Sequence, residues 1–362
     1  MKLFKLILLI LLTLSCNDKI DPNELFTCEI GEVIQKGDRM IGLDLLDLTK
    51  TNTFDDNIAH AKELGIEFIA LHLTWSSIET AKATYRDPFN ALELLGKVAK
   101  ANDMKFSLTI RPIDLTGKTV PTDLEGVKFN DTKMIDRFNN LLDFIFEKVS
   151  PDVLLNIQIG NEIDGYDTKD EPDSFWDDYG IFLKSSSKHI HEKYPDLKVG
   201  FTGTLYGLIE NPIIFTKLAK NIDILGVTYY PIDSKFNVKS PDVVFDDFEN
   251  LVAKYENSTL FLQEVGYPSS LENKSNQARQ AEFFCNLFTA WDQHRDHIKT
   301  MNLVRLNDIS IEKAKELAAP YGINGKRFQE YLRTLGIRTF DGDGENKKAF
   351  EVIGEHLNKR GW

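Results

Sequence analysis

This chain of 362 residues is short of cysteine, histidine and basic charge, and each shortage closes off a class of function. Seven histidines are scattered along it, and the one close pair, His189 and His191, would point away from each other on a helix, so no catalytic metal is expected. Lys and Arg total 43 against 56 Asp and Glu, a net charge of −13. No basic block is interleaved with aromatics, so no nucleic-acid partner is expected and a neutral polymer suits the surface better. No glycine-rich phosphate loop follows an early strand, which argues against an open, doubly wound nucleotide-binding sheet. No cofactor is expected. What is present, 42% hydrophobic and 27% charged residues, is enough to bury a core of barrel size in one domain.

Only one apolar run is uninterrupted over many residues, Leu6 to Leu12. It follows the basic Met1-Lys-Leu-Phe-Lys5 and precedes Thr13-Leu-Ser-Cys16. That is the layout of a signal peptide, too short to span a membrane. Its end resembles a bacterial lipoprotein processing site, which implies residues 1–15 as the leader and Cys16 as the lipidated first residue. Acylation there would anchor the chain to the cell envelope, at the outer membrane or the cell surface. Residues 16–38 then read as a linker and residues 39–362 as the catalytic domain. The two other cysteines, Cys28 and Cys285, would pair in an oxidising compartment, but the aromatic neighbours of Cys285 favour a plain core role for it.

From residue 39 onward, strand-like runs alternate with helical patterns. Strands are expected over residues 39–47, 67–75, 105–111, 153–162, 198–205, 223–231, 258–264 and 300–308. Helices are expected between them and after the last, as at residues 55–64, closed by Gly65, and near Asp87-Pro88, a capping residue before proline. Eight such units imply parallel pairing and a closed (β/α)8 TIM barrel in a single domain. Residues 309–336, with helical stretches at 312–317 and 327–335, read as an elaborated loop over its mouth.

Two of the strand-like runs end in a glutamate: Gln158-Ile-Gly-Asn161-Glu162 closes the fourth, and Gln263-Glu264-Val-Gly-Tyr-Pro closes the seventh. In a barrel the carboxyl ends of the strands form the catalytic face, and two facing carboxylates are the equipment for cleaving a glycosidic bond. A gap of roughly 5 to 5.5 Å between them lets one attack the sugar and retains configuration, whereas about 6.5 to 9.5 Å leaves room for water and inverts it.

Gly160-Asn161-Glu162 with Glu264 resembles clan A of the glycoside hydrolases, the retaining β-glycanases. The strings around residues 158–163 and 223–231 are similar to those of the endo-β-1,4-galactanases, and residues 263–269 also to the endo-β-1,3-glucanases. The resemblance implies Glu162 as acid/base, Glu264 as nucleophile and Asn161 as ligand of the sugar 2-hydroxyl. It further implies Tyr229 or Tyr230 as hydrogen-bond donor to the nucleophile. Arg111 is expected to hold Glu264 ionised from across the pocket. Trp75 is expected to stack on sugar, with Trp176, Tyr206 and Tyr267 as further candidates, and Asp44 and Asp47 to bind substrate hydroxyls.

Two departures stand out. Strand two offers His72 and Trp75 where clan A often has arginine, and strand eight offers Val304 and Arg305 in place of its usual tryptophan floor. The expected function is a retaining, endo-acting β-glycoside hydrolase of an extracellular β-glucan, β-galactan or β-mannan, acting as a monomer. An exo-acting enzyme and a surface glycan-binding lipoprotein that has lost catalysis are the alternatives.

Overall fold

The computed structural model describes Asp21 and residues 24–362, and the leader and Cys16 lie outside that range. Eight parallel strands close a barrel: β1 (Met40–Leu43), β2 (Phe68–Thr74), β3 (Lys105–Asp114), β4 (Leu154–Asn161), β5 (Lys198–Thr204), β6 (Ile224–Tyr229), β7 (Thr259–Val265) and β8 (Ile298–Leu303). Each pairs with its neighbour in chain order, and β8 returns to β1 through Met40 opposite Thr300. A helix follows each strand, from Phe54–Glu63 after β1 to Lys348–Arg360 after β8. Some of the helices begin where the sequence supplies caps. Thr53 and Asp56 form a capping box, and the Asp87 carboxylate accepts from the amides of Leu92 and Glu93 at 2.9 and 3.0 Å.

The barrel interior is stacked in layers. Phe68 and Phe261 meet edge to face at 6.0 Å near the amino-terminal ends of the strands. Gly42 makes room for them, since a Cβ there would lie 2.3 Å from the Phe68 ring. Above them the lining turns polar, with Ser107, Asn156, Thr109, Thr202, Gln158 and Gln263 all buried. Outside, the apolar faces of strands and helices merge into one continuous core.

Some boundaries differ from the sequence reading. β3 runs past Pro112 to Asp114, because the carbonyl of Pro112 still accepts from Thr119 while its missing N–H is not needed. The helix Gln277–Gln293 stops short of His297, where a turn between His294 and His297 feeds β8.

Residues 24–38, read as a linker, are bound against the outer helices. Cys28 is disulfide-bonded to Cys285, which corrects the preference for Cys285 as a plain core residue. The pairing brings the amino-terminal segment onto helix Gln277–Gln293. Arg39 and Arg360 share the Asp292 carboxylate, each at 2.8 Å, in a buried triad that fixes the same segment to the last helix.

Candidate active site

The barrel mouth is assembled from the carboxyl ends of its strands, and two local distortions aim its side chains. In a regular strand consecutive residues point to opposite faces, so Gln263 and Glu264 would not share the interior. The pairing of β7 with β6 shifts between Leu262 and Glu264, a bulge that turns both inward. At the end of β4 the chain passes through Gly160 at φ 94° and Glu162 at φ 46°. A Cβ on Gly160 would lie 2.5 Å from the Tyr179 hydroxyl, so glycine is required there. Glu162, a side-chain-bearing residue held in the left-handed region, is the kind of strained position that clusters at functional sites.

The two glutamates hold different partners. Thr228 at the end of β6 donates its hydroxyl to Glu162 at 2.7 Å. Tyr230, two residues on, donates to Glu264 at 2.8 Å. Burial first, and then the charge of Glu264, push the Glu162 carboxyl up to about 8. Glu264 is also raised by burial, but the Tyr230 hydroxyl and the charges of Arg111 and Arg305 oppose that shift. His72 lies 3.6 Å from Glu264. Burial, followed by the charge of Arg111, lowers its imidazole to about 3, so it stands there neutral.

A buried amide network orients Asn161. The hydroxyls of Thr109 and Thr202 donate to Gln263 Oε1 at 3.3 and 2.5 Å, which leaves Gln263 Nε2 to donate to Asn161 Oδ1 at 2.8 Å. Asn161 Nδ2 is thereby left as a donor on the site side, 3.3 Å from Asp114.

On the β1 and β8 side, Arg305 donates to Asp47 at 2.7 Å, while its Nε is buried without a partner. Asp44 beside them accepts a backbone N–H from Leu46 at 3.2 Å. Burial, and then Asp47, raise the Asp44 carboxyl to about 6. A carboxylate this poorly satisfied is set to accept hydrogen bonds from an incoming ligand.

The structure gathers Glu162, Glu264, Asn161, Tyr230, Arg111 and Asp44 at the mouth and removes two expected residues from it. Trp75 is wholly buried, opening a short helix after β2 that turns its ring into the layer between strands and helices. There its Nε1 donates to Glu79 and its ring packs on Phe138 and Phe182, out of reach of any sugar. Tyr229 points outward by strand alternation and donates to Asp247 on the surrounding helix Val243–Lys254. Arg111 stays in the site, but its ion partner is Asp114 at 2.7 Å rather than Glu264, on which it acts only through its field.

Trp176 and Tyr267 are likewise packed against helix residues, and Tyr206 bonds Asp247. The aromatic walls of the mouth instead come from Tyr230, Tyr321 and Tyr331, the last two on the loop after β8. Among the described residues one grouping has metal-ligand types close together, Cys28, Cys285 and His356. Its sulfurs are bonded to each other, and His356 Nδ1 faces an Arg360 donor at 2.8 Å, which places the ring proton on Nε2.

The Glycosyl hydrolase family 53 profile matches residues 139–301, the segment that contains β4 to β7 and both glutamates. No curated protein matches the chain in sequence. Among solved structures, an exo-beta-1,4-mannosidase from Opitutaceae bacterium strain TAV5 superposes with TM-score 0.66 at 14% identity over 89% of this chain, which spans 59% of the mannosidase. A family 39 glycoside hydrolase from Bacteroides cellulosilyticus WH2 gives 0.60 at 14% identity, covering 91% of this chain and 65% of that one. A beta-glucosidase from Exiguobacterium marinum gives 0.61 at 12%, covering 91% and 99%. The likeness to clan A of the glycoside hydrolases therefore holds: the segment carrying both glutamates matches one of its families, and the barrel has its fold.

Proposed function

We propose that the protein is a retaining β-glycoside hydrolase with Glu162 as acid/base and Glu264 as nucleophile. The observation that carries this reading is the contrast between the two carboxyls. Glu162, raised to about 8, keeps a proton at neutral pH, whereas Glu264 receives the Tyr230 hydrogen bond and the fields of two arginines that favour its charged form.

In the first step Glu264 attacks the anomeric carbon, the glycosidic bond breaks, and its oxygen takes the proton of Glu162. In the second step Glu162, now a carboxylate, removes a proton from water as that water displaces Glu264 from the sugar. Asn161 Nδ2, held by Gln263, binds the 2-hydroxyl, and Asp44 and Arg305 bind hydroxyls further round the ring.

The substrate is a β-linked glycan met outside the cell, with β-galactan, β-glucan and β-mannan the candidates. The family 53 match supports galactan first, and the names of the structural neighbours support glucosides and mannosides. Anchoring through Cys16 is supported by the leader pattern, and export by the Cys28–Cys285 disulfide, a bond of oxidising compartments. Release of reducing ends from galactan, β-glucans, mannan and xylan, with Glu264→Gln beside the parent, tests the reading. Loss of activity in the mutant supports it, and a parent silent on every glycan sinks it.

Internal cleavage is the expected mode for a surface enzyme facing polymer. The loop after β8 favours a second reading, attack at chain ends. Its tip residue Tyr321 is half exposed, and burial together with the charges of Asp114 and Glu162 pushes its phenol up to about 12. Tyr321, on the loop after β8, thus lies within the field of Asp114 on β3, and a loop so placed would bound the cleft. A ladder of intermediate products means internal cleavage, and monosaccharide or disaccharide alone means attack at ends.

A further inference from the structure

The second helix of the loop after β8, Lys326–Arg333, is fixed in place rather than hinged. Ser269 donates to the carbonyl of Thr334 at 3.1 Å, Arg327 Nε to that of Glu272 at 2.8 Å, and buried Lys347 to that of Gly336 at 2.8 Å. Its apolar face is aromatic. Phe328 packs on Phe236 at 4.6 Å, and Tyr331 stands edge-on to Tyr230 at 5.7 Å. Tyr331 thus abuts the residue that bonds Glu264.

The hydroxyl of Tyr331 is the exception among the buried tyrosines around the barrel. Those of Tyr179, Tyr229, Tyr255 and Tyr267 each reach a protein acceptor, at 2.9, 2.9, 2.9 and 2.7 Å. Tyr331, 7% exposed, has no hydrogen-bond partner among the described residues. Its phenol lies in the fields of both Glu162 and Glu264, which with burial keep it protonated and therefore a donor. A phenolic hydroxyl with no acceptor in the protein is free to donate to a sugar oxygen entering between the two glutamates.

We infer that Tyr331 is a substrate-contacting residue of the reacting-sugar subsite, donating its phenolic hydrogen to one sugar hydroxyl from the place a strand-eight tryptophan would occupy. The strand-eight end carries Val304 and Arg305 rather than tryptophan, and Val304 packs in the same cluster as Tyr331. This inference rests on the hydrolase reading above. It predicts that the loop, and not the barrel strand, sets which hydroxyl is recognised.

The test compares the parent with Tyr331→Phe on aryl β-glycosides and on analogues lacking one sugar hydroxyl at a time. Losing a hydrogen bond of this kind lowers kcat/KM about tenfold on the full sugar, with Tm unchanged. On the single analogue missing the recognised hydroxyl, parent and variant become equal. Equal rates on every substrate would overturn the inference, as would a uniform loss across all analogues, which would place the effect on the glutamates instead. A parent without turnover on any glycoside would remove the hydrolase reading itself, a distinct outcome.

Discussion

Tyr230 donates its hydroxyl to Glu264 at 2.8 Å from the residue just beyond β6, while Thr228, two residues earlier, donates to Glu162 at 2.7 Å. One strand end therefore serves both carboxyls, and its outward residue Tyr229 is tied to Asp247 behind it. Tyr230→Phe removes the donor but keeps the ring packed on Tyr331. Hydrogen bonds to charged groups contribute about 1.5–3 kcal/mol, so kcat/KM should fall by roughly one to two powers of ten. The acid limb of the pH profile should move up, because Glu264 loses a partner of its charged form. An unshifted limb would mean that Tyr230 serves packing alone.

Glu162 supplies a second prediction, one that needs no substrate. Its native pKa of about 8 exceeds the ordinary 4.5, so the native chain binds a proton that the unfolded chain releases. Stability from this group is present below pH 4.5 and is lost as pH rises through 8. Glu162→Gln removes that dependence. The variant should gain in Tm over the parent between pH 5 and pH 8, by at least about 2 °C for a chain of this size. Calorimetry at the two pH values checks it, and a constant difference would show that Glu162 is not held protonated.

The barrel was legible because buried strands read as apolar runs and several helices announce themselves by capping residues, as at Thr53 and Asp87. The two glutamates were legible for the same reason, since each closes such a run. Strand parity also separates Tyr229 from Tyr230 once Thr228 is known to face inward, though nothing local to the sequence marks Thr228. The partner of Arg111 was hidden because Pro112 reads as a strand end, whereas β3 continues to Asp114. Trp75 misled because a residue at a strand's carboxyl end usually faces the mouth, and here a short helix begins at that residue and turns it away. Tyr331 had no signal at all: it lies 67 residues beyond Glu264, on a loop whose docking depends on Glu272, Gln280 and Lys347.

The disulfide tests how much the amino-terminal segment matters to the barrel. Cys28 is joined to helix Gln277–Gln293 at Cys285, 257 residues away in sequence, and His356 contacts its sulfur at 3.1 Å. Closing so long a loop restricts the unfolded chain, and removal of a native disulfide typically costs about 2–5 kcal/mol. The buried Arg39–Asp292–Arg360 triad holds the same segment independently, which places the expected loss at the lower end of that range. Cys28→Ser with Cys285→Ala should therefore lower the denaturant midpoint and steepen the slope, because the unfolded chain without its crosslink exposes more surface, and dithiothreitol should do the same to the parent but not to the variant. Activity should stay within about twofold, because Cys28 and Cys285 bond to each other and to His356 and to no group of the site. A loss of activity matching the loss of stability would instead mean that the segment transmits strain through that helix to β7 and Glu264.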